Sequence, residues 1–471
     1  MSFEPLLSLT GPAYRAAFFF PDALSKLRGT AYKDIKLLHD EYGGVVRVLP
    51  DGLSFNTAQA WKDIHAFKPD RTELAKDPNF YRRATEASII SANQAEHTRI
   101  RKLLAYAFSD GALLEQEPLL THYFDLLVSR LKQQIDGPAC GRINIMAWYN
   151  FTSFDIVGDL VLGEPFGALE SGQYHSWIRN IFEGVKFIGV MRLADTYQMV
   201  GVLFKILQTA IPSIGAKRAA YLEFTRTKIE SRLDRKTDRK DFMTYILRHN
   251  DERGMTRKEI IGTSRVLLIG GSETTATLLS GATYYILQNR AILHRVQSEV
   301  REAFKTADDI TFRSVSKPDM LPYMDAVLQE SLRCYPPVPA ILPRKTGPEG
   351  ALIDGNYVPR NISVGVHQWS AFHSSTNFAS PDTFDPERWL PDAPAKYSKD
   401  IKAAFQPFSL GPRVCIGKSL AYFEMRSILA RVLWNFDMQI EEESQGWMEQ
   451  KEHTLWDKPP LWVTLTHRAG S

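Results

Sequence analysis

The chain has 471 residues, 44% of them hydrophobic and 24% charged, with a formal net charge of +3. That balance excludes a largely disordered or collagen-like chain, and Lys and Arg interleaved with Asp and Glu leave no basic footprint for nucleic acid. Three cysteines lie far apart, at 140, 334 and 415; with no CxxC pair, the ligand spacing of a zinc knuckle or iron–sulfur site is missing, as is a secreted disulfide framework.

In chain order, "AYRAAFFFP" is the most apolar early stretch, and Pro21 ends it far short of the roughly 20 residues a membrane span needs. Residues 1–28 therefore read as an N-terminal segment without a transmembrane anchor, and 29–471 as one mainly α domain with a small β part. "AYKDIKLLHDEYG" has helical periodicity and stops at Gly43. "VVRVLPDGLSFNT" reads as a hairpin turning at Pro50-Asp51-Gly52. Long helices follow in "AEHTRIRKLLAYAF", "LLTHYFDLLVSRLKQQI" and "NFTSFDIVGDLVLG", then an aromatic, apolar stretch from Phe182 to Ile214. The charge run 233–241 reads as a solvated loop. From Met255 one very long helix begins, with Thr256 as N-cap and Glu259 completing a capping box. Beyond residue 335 prolines break the helices, and "ALIDGNYVPRNISVGVHQWS" alternates as short strands. A helix from Lys418 to Phe436 and a strand-like "PLWVTLT" close the chain.

Chemistry concentrates in "PFSLGPRVCIG", 407–417. Cys415 precedes a helix whose free N–H groups and positive dipole end lower a thiol's pKa; Arg413 adds charge, the glycines permit close approach, and Phe408 can exclude water. On these residues alone three readings stay open: a small buried apolar residue, a nucleophile of the Cys–His kind, or the axial thiolate of a haem iron.

The spacing Phe408, Gly411, Arg413, Cys415, Gly417 resembles the haem-binding signature of the cytochrome P450 family at each defining position. "GGSETT", Gly270 to Thr275, is similar to the oxygen-activation stretch of that family's long central helix. Thr274 stands four residues after Gly270, so its hydroxyl can bond that carbonyl and leave a gap over the glycines. "ESLR" (Glu330, Arg333) with Arg388 of "FDPERW" resembles the family's structural triad, which implies a role in locking the fold. In "EHTRIRK", His97 and Arg101 are i and i+4 on one helix face; the resemblance makes them partners of the haem propionates, together with Arg344, Arg413 and, more weakly, His373. The texture of "YGGVVRV", "AWKDIH" and "FDPERWL" is most like fungal members that decorate secondary metabolites.

The resemblance implies a P450-like single haem domain. Its cofactor is haem b with Cys415 as thiolate ligand and metal-binding residue, and Thr274 and Glu273 guide protons. The activity implied is monooxygenation, by hydroxylation or epoxidation, of a hydrophobic small molecule such as a polyketide, terpenoid or alkaloid intermediate. Substrate-lining segments are expected between Thr72 and Glu96, at 182–214, at Val266–Gly270 and at Val338–Leu342. No GxGxxG follows a strand, so electrons are expected from a separate NADPH-dependent reductase, docked near Lys402 and Lys418. Membrane contact is expected to be peripheral at most, on the cytoplasmic side or at the endoplasmic reticulum surface. Other readings are a reductase-independent haem-thiolate peroxygenase or isomerase, a non-catalytic haem carrier or sensor, and a Cys-nucleophile hydrolase.

Overall fold

A computed structural model describes residues 11–67, 73–81, 87–175, 200–203, 206, 212–235, 237–317 and 319–468. The stretch from Phe182 to Ile214 lies largely outside them. The helices used below are α1 (Ala31–Tyr42), α2 (Gln94–Ala107), α3 (Asp110–Asp136), α4 (Ile145–Leu162), α5 (Arg257–Gln288), α6 (Arg290–Ala303), α7 (Pro322–Cys334) and α8 (Lys418–Asn435). The strands are β1 (Val45–Leu49), β2 (Gly52–Phe55), β3 (Ala75–Lys76), β4 (Arg142–Asn144), β5 (Arg344–Lys345), β6 (Ser363–Val366), β7 (Phe436–Ile440) and β8 (Trp462–His467).

α4 is mostly apolar and all of its 18 residues are buried, its Asp155 satisfied by the Ala168 and Leu169 N–H groups and its Asp159 by Tyr123 and Arg239. It packs along α5, whose 32 residues rise about 48 Å. Gly271 permits the approach: a Cβ there would stand 2.7 Å from Val157 Cγ2. α5 starts where the sequence places it, with the reciprocal Thr256–Glu259 capping box formed. α3, α7 and α8 surround this pair and share its core.

The predicted hairpin is β1–β2, antiparallel, with Val45 opposite Phe55. It extends to a sheet of order β1-β2-β6-β5-β3, where β6 joins β2 in parallel. A second sheet, β4-β8-β7, joins the chain's end to its middle. Residues 13–28, set apart in the sequence reading, form two short helices that pack on one another, on β1 and on α1. Among the described residues, no helix is long and apolar enough to cross a membrane.

The charge run 233–241 is not wholly solvated. Asp241 is fully buried and accepts two hydrogen bonds from Arg232, at 2.9 and 2.7 Å, while Arg239 pairs with Asp159 on α4. Other paired charges of the run, Asp234 with Arg257 and Lys240 with Glu115, stay exposed.

Behind the cysteine loop lies a buried ionic knot. Glu330 on α7 accepts hydrogen bonds from Arg333 at 2.9 and 2.8 Å, from Arg388 Nε at 3.1 Å and from Trp389 Nε1 at 2.8 Å. The Asp385 backbone N–H adds a fifth at 3.0 Å. Arg388 also reaches Asp400 at 2.6 Å, and Glu330, Arg333 and Arg388 are each 0% exposed.

Candidate active site

The loop 407–417 leads into α8, which packs on α5. Gly411 has φ +77°, and a Cβ there would lie 2.0 Å from the His65 carbonyl oxygen, so only glycine fits on both counts. The Cys415 N–H donates to Phe408 O at 2.9 Å, which folds the loop back on itself before α8 begins. Phe408 packs on Tyr422, one turn into that helix, with ring centroids 5.3 Å apart. Arg101 on α2 donates to Val414 O at 2.7 Å and fixes the residue beside the cysteine.

Opposite, the Thr274 hydroxyl donates to Gly270 O at 2.6 Å, the bond its spacing predicts. No atom lies within 4 Å of a Cβ built on Gly270. Gly270 and Cys415 are exposed although each belongs to an interior element.

The electrostatics of Cys415 differ from the sequence reading. Burial pushes the thiol up, against the Gly417 N–H, Arg101 and Lys418, which act to lower it. Arg413 is absent from that set because its Nε and Nη2 are turned to Glu73 Oε1, at 2.8 and 2.6 Å. A coordinating metal removes the thiol proton outright and so overrides the burial cost.

Beside the cysteine loop the structure gathers His97, Arg101, Arg344 and Arg413. His97 is buried, and desolvation with the nearby Arg413 and Arg101 lowers its pKa to about 4. Beside these cations the neutral ring is favoured, whereas a propionate at His97 would act the other way. Arg344, also buried, donates to Leu74 O at 3.3 Å. His373 does not belong to the cluster: its ring stacks on Trp369 with centroids 3.8 Å apart, its Nδ1 meets Trp369 O at 3.0 Å, and it lies near Arg333 of the knot.

Three members of the cluster escape the sequence. Lys76 stands opposite Arg344 across β3 and β5, and burial together with Arg344 and Arg413 lowers its pKa to about 7. Like charges directly opposite destabilise a strand pair. His65 is buried, with Nδ1 unpartnered among the described residues, and Arg413 Nη1 is likewise buried and unpartnered. Glu73 is the carboxylate that lies among these cations. The cluster thus has a surplus of cations and spare donors beside an open space, which fits a haem carrying two propionates. Lys76 sits in "ELAKD", where only strand register would reveal it.

Glu273 takes a different place from Thr274. Its carboxylate is buried and ion-paired with Lys458, in the segment between the 456–457 strand and β8, and Lys458 also donates to Thr277 Oγ1 at 2.6 Å.

A cavity of about 390 Å³ lies between the 20–28 helix and the larger sheet. Phe19, Leu53, Phe80, Ile341 and Val364 line it. Asn79, Phe80, Ala340 and Ile341 of this lining fall in segments named from sequence as substrate-lining.

A thiol at a helix entrance, a Thr274 hydroxyl bonded back to Gly270 on the long central helix and a cluster of cations beside the thiol loop fit the haem-thiolate class of oxidoreductase. The sequence model described as Cytochrome P450 matches residues 15–465, and the chain belongs to that family. It is 41% identical over 470 residues to the cytochrome P450 monooxygenase astJ of Aspergillus oryzae, covering 99% of this chain and 93% of that protein. It is 42% identical over 477 residues to olcB of Penicillium canescens, a cytochrome P450 monooxygenase, covering 99% and 95%. To the averantin hydroxylase of Dothistroma septosporum it is 40% identical over 473 residues, covering 99% and 87%. The protein is a haem-thiolate monooxygenase that draws its electrons from a redox partner.

Proposed function

We propose that Cys415 is the thiolate ligand, that His97, Arg101, Arg344 and Arg413 hold the propionate edge, and that the reaction is hydroxylation of a hydrophobic intermediate of secondary metabolism. The observation that supports this is the cluster of His97, Arg101, Arg344 and Arg413 beside the loop of Cys415, which Arg101 pins through Val414 O at 2.7 Å. When bound, haem supplies the redox chemistry that splits O2 and inserts one oxygen atom. The chain's own work is to bind, orient and deliver protons. Gly411 lets the loop reach its position, Arg101 pins Val414, and Phe408 packs over the loop. Thr274 presents a hydroxyl that can release Gly270 O and hold a water at the gap. Glu273, one residue earlier, relays protons from the Lys458 side.

The cavity beside the larger sheet carries Asp22, Lys26, Asp51, Asp77 and Glu452 as well as Phe80 and Ile341 and includes none of the proposed site residues, so the hydrophobic substrate rests on the relatives and not on this cavity. The monooxygenase names carried by astJ and olcB, and the hydroxylase name of the Dothistroma relative, support the same reaction class. The redox partner we propose is an NADPH-dependent reductase, which meets the exposed Lys402 and Lys418 beside the cysteine loop through an acidic face. Membrane contact, in this reading, is peripheral.

The test is reconstitution with haem, a fungal NADPH–cytochrome P450 reductase and a panel of hydrophobic ring-containing intermediates. One panel member should shift the haem spectrum and leave as an alcohol carrying oxygen from labelled O2. Thr274→Ala should divert most NADPH to peroxide. Oxygen drawn from water, or turnover indifferent to Thr274, contradicts the proposal.

A further inference from the structure

The 390 Å³ cavity beside the larger sheet has no part in the chemistry described above: none of the residues assigned to the haem or to proton delivery lines it. Its volume lies within the roughly 300–1,000 Å³ of small-molecule pockets. Segments far apart in sequence build it, among them the 20–28 helix, α1, β6 and the turn 452–454. Ile35, Leu53, Phe80, Ile341 and Val364 give it an apolar wall.

Its polar wall is one-sided. Four carboxylates line it, Asp22, Asp51, Asp77 and Glu452, against one ammonium group, that of Lys26. Lys26 pairs with Asp22 at 2.6 Å, and Lys345, from outside the cavity, pairs with Asp51 at 3.2 Å. Asp77 is only 4% exposed. Its Oδ1 accepts the Asn79 N–H at 2.9 Å, but no cation among the described residues forms an ion pair with it. The histidines of the wall leave that charge standing. His367 is 1% exposed, its Nδ1 accepts the Ser370 N–H at 3.2 Å, and burial pushes its pKa far below the ordinary value, so the ring is neutral. His453 carries a buried Nδ1 without a partner among the described residues.

A buried carboxylate without a cation is uncommon, because its lost hydration goes uncompensated. In this cavity the compensation falls to whatever enters it. We propose that the cavity is a second small-molecule site, separate from the haem pocket, for an apolar ring compound that carries a positively charged nitrogen. The cation pairs with Asp77, and Phe80 in the same wall offers it an aromatic face. The apolar body packs on Ile341 and Val364, and His453 Nδ1 is left for a further polar group. The charge of the wall excludes carboxylates of the same shape. None of this depends on the reading of Cys415.

The probe is (1-naphthylmethyl)trimethylammonium, whose quaternary nitrogen cannot ligate iron. Its neutral and anionic counterparts are 1-naphthylmethanol and 1-naphthylacetate. Equilibrium dialysis against the haem-loaded enzyme measures bound probe per chain, with and without saturating 4-phenylimidazole, which ligates iron and fills the haem pocket. One cationic probe per chain should bind whether or not the azole is present. Its affinity should exceed that of the neutral probe about tenfold, the order of one charge-assisted contact, and the anionic probe should bind weakest. Asp77→Asn, which keeps the acceptor for the Asn79 N–H, should erase the preference for the cation. Ala23→Phe, which fills the cavity from the 20–28 helix, should abolish binding of all three probes in the presence of azole, with the haem spectrum unchanged. Probe that the azole displaces lies in the haem pocket and overturns the second site, as does the absence of azole-resistant binding. Equal affinity for the three probes in the wild type, or an unchanged preference in Asp77→Asn, overturns the recognition of a cation.

Discussion

Replacing Glu330 by alanine is the sharpest test of what holds the cysteine loop in place. The carboxylate accepts five hydrogen bonds, four of them from Arg333, Arg388 and Trp389 side chains, in a place with no solvent exposure. Removing one partner of a buried ion pair costs about 3–5 kcal/mol, because the remaining charge is left without compensation. Arg388 keeps Asp400 at 2.6 Å, and Arg333 keeps the carbonyls of Phe372 and Thr383 at 2.9 and 3.0 Å. These residual contacts favour the lower half of that range, about 3–4 kcal/mol. Unfolding entropy scales with chain length, so in a chain this long each kcal/mol moves Tm by about 1 °C. The expected shift is therefore about 3–4 °C, with a matching fall in the urea midpoint. Circular dichroism of the haem-free protein measures both. Lys33→Ala is the reference, since Lys33 makes an exposed pair with Glu449 at 2.8 Å worth about 0–1 kcal/mol. A Glu330→Ala shift no larger than that of Lys33→Ala would refute the reasoning.

Arg413→Gln should weaken haem retention at least tenfold, measured by transfer to apomyoglobin, because it removes a cation beside Lys76 and Arg344; retention equal to wild type would remove Arg413 from the propionate edge. Gly411→Ala should fail to assemble the loop, since φ +77° costs about 1–2 kcal/mol for an L-residue before the 2.0 Å approach to His65 O is counted; a normal yield of haem-loaded protein would contradict this. His39 is buried, bonded to Gly43 O and Ser54 Oγ at 2.8 Å each, and burial lowers its pKa to about 4. Unfolded, it titrates near pH 6.5, so between about 6.5 and 4 the unfolded chain binds more protons, and stability falls as pH drops through that window. By pH 5 this ring alone should cost about 2 kcal/mol. His39→Gln should flatten the fall in urea midpoint between pH 7 and pH 5, and an unchanged slope would show that His39 does not titrate in this way.

The parts of the site that were legible in sequence share one property: they are local. Thr274 and Gly270 are four residues apart on one helix, and their hydrogen bond follows from helical geometry. The Thr256–Glu259 capping box and the turn at Pro50-Asp51 are equally short-range. The cysteine loop was legible because its glycines answer steric demands, as the Gly411 approach to His65 demonstrates. What sequence could not supply is the partner of each charge. Arg413 was assigned to the thiol by proximity in the chain, yet it turns to Glu73, 340 residues away. Glu273 was read beside Thr274 on the proton path, and its ion pair with Lys458, 185 residues away, lay beyond local reasoning. Lys76 joins the cationic rim only through the register that sets it opposite Arg344. Burial decides the rest: His97 is basic by type, and desolvation lowers its pKa to about 4.

The central claim is that Cys415 is the haem ligand. The most direct test is the absorption spectrum of the reduced, carbon monoxide-exposed protein, wild type against Cys415→Ala. The account predicts the strongly red-shifted Soret band of a thiolate-ligated haem in the wild type and its loss in the variant. An ordinary carbon monoxide band in the wild type, or a red-shifted band that survives Cys415→Ala, would contradict it.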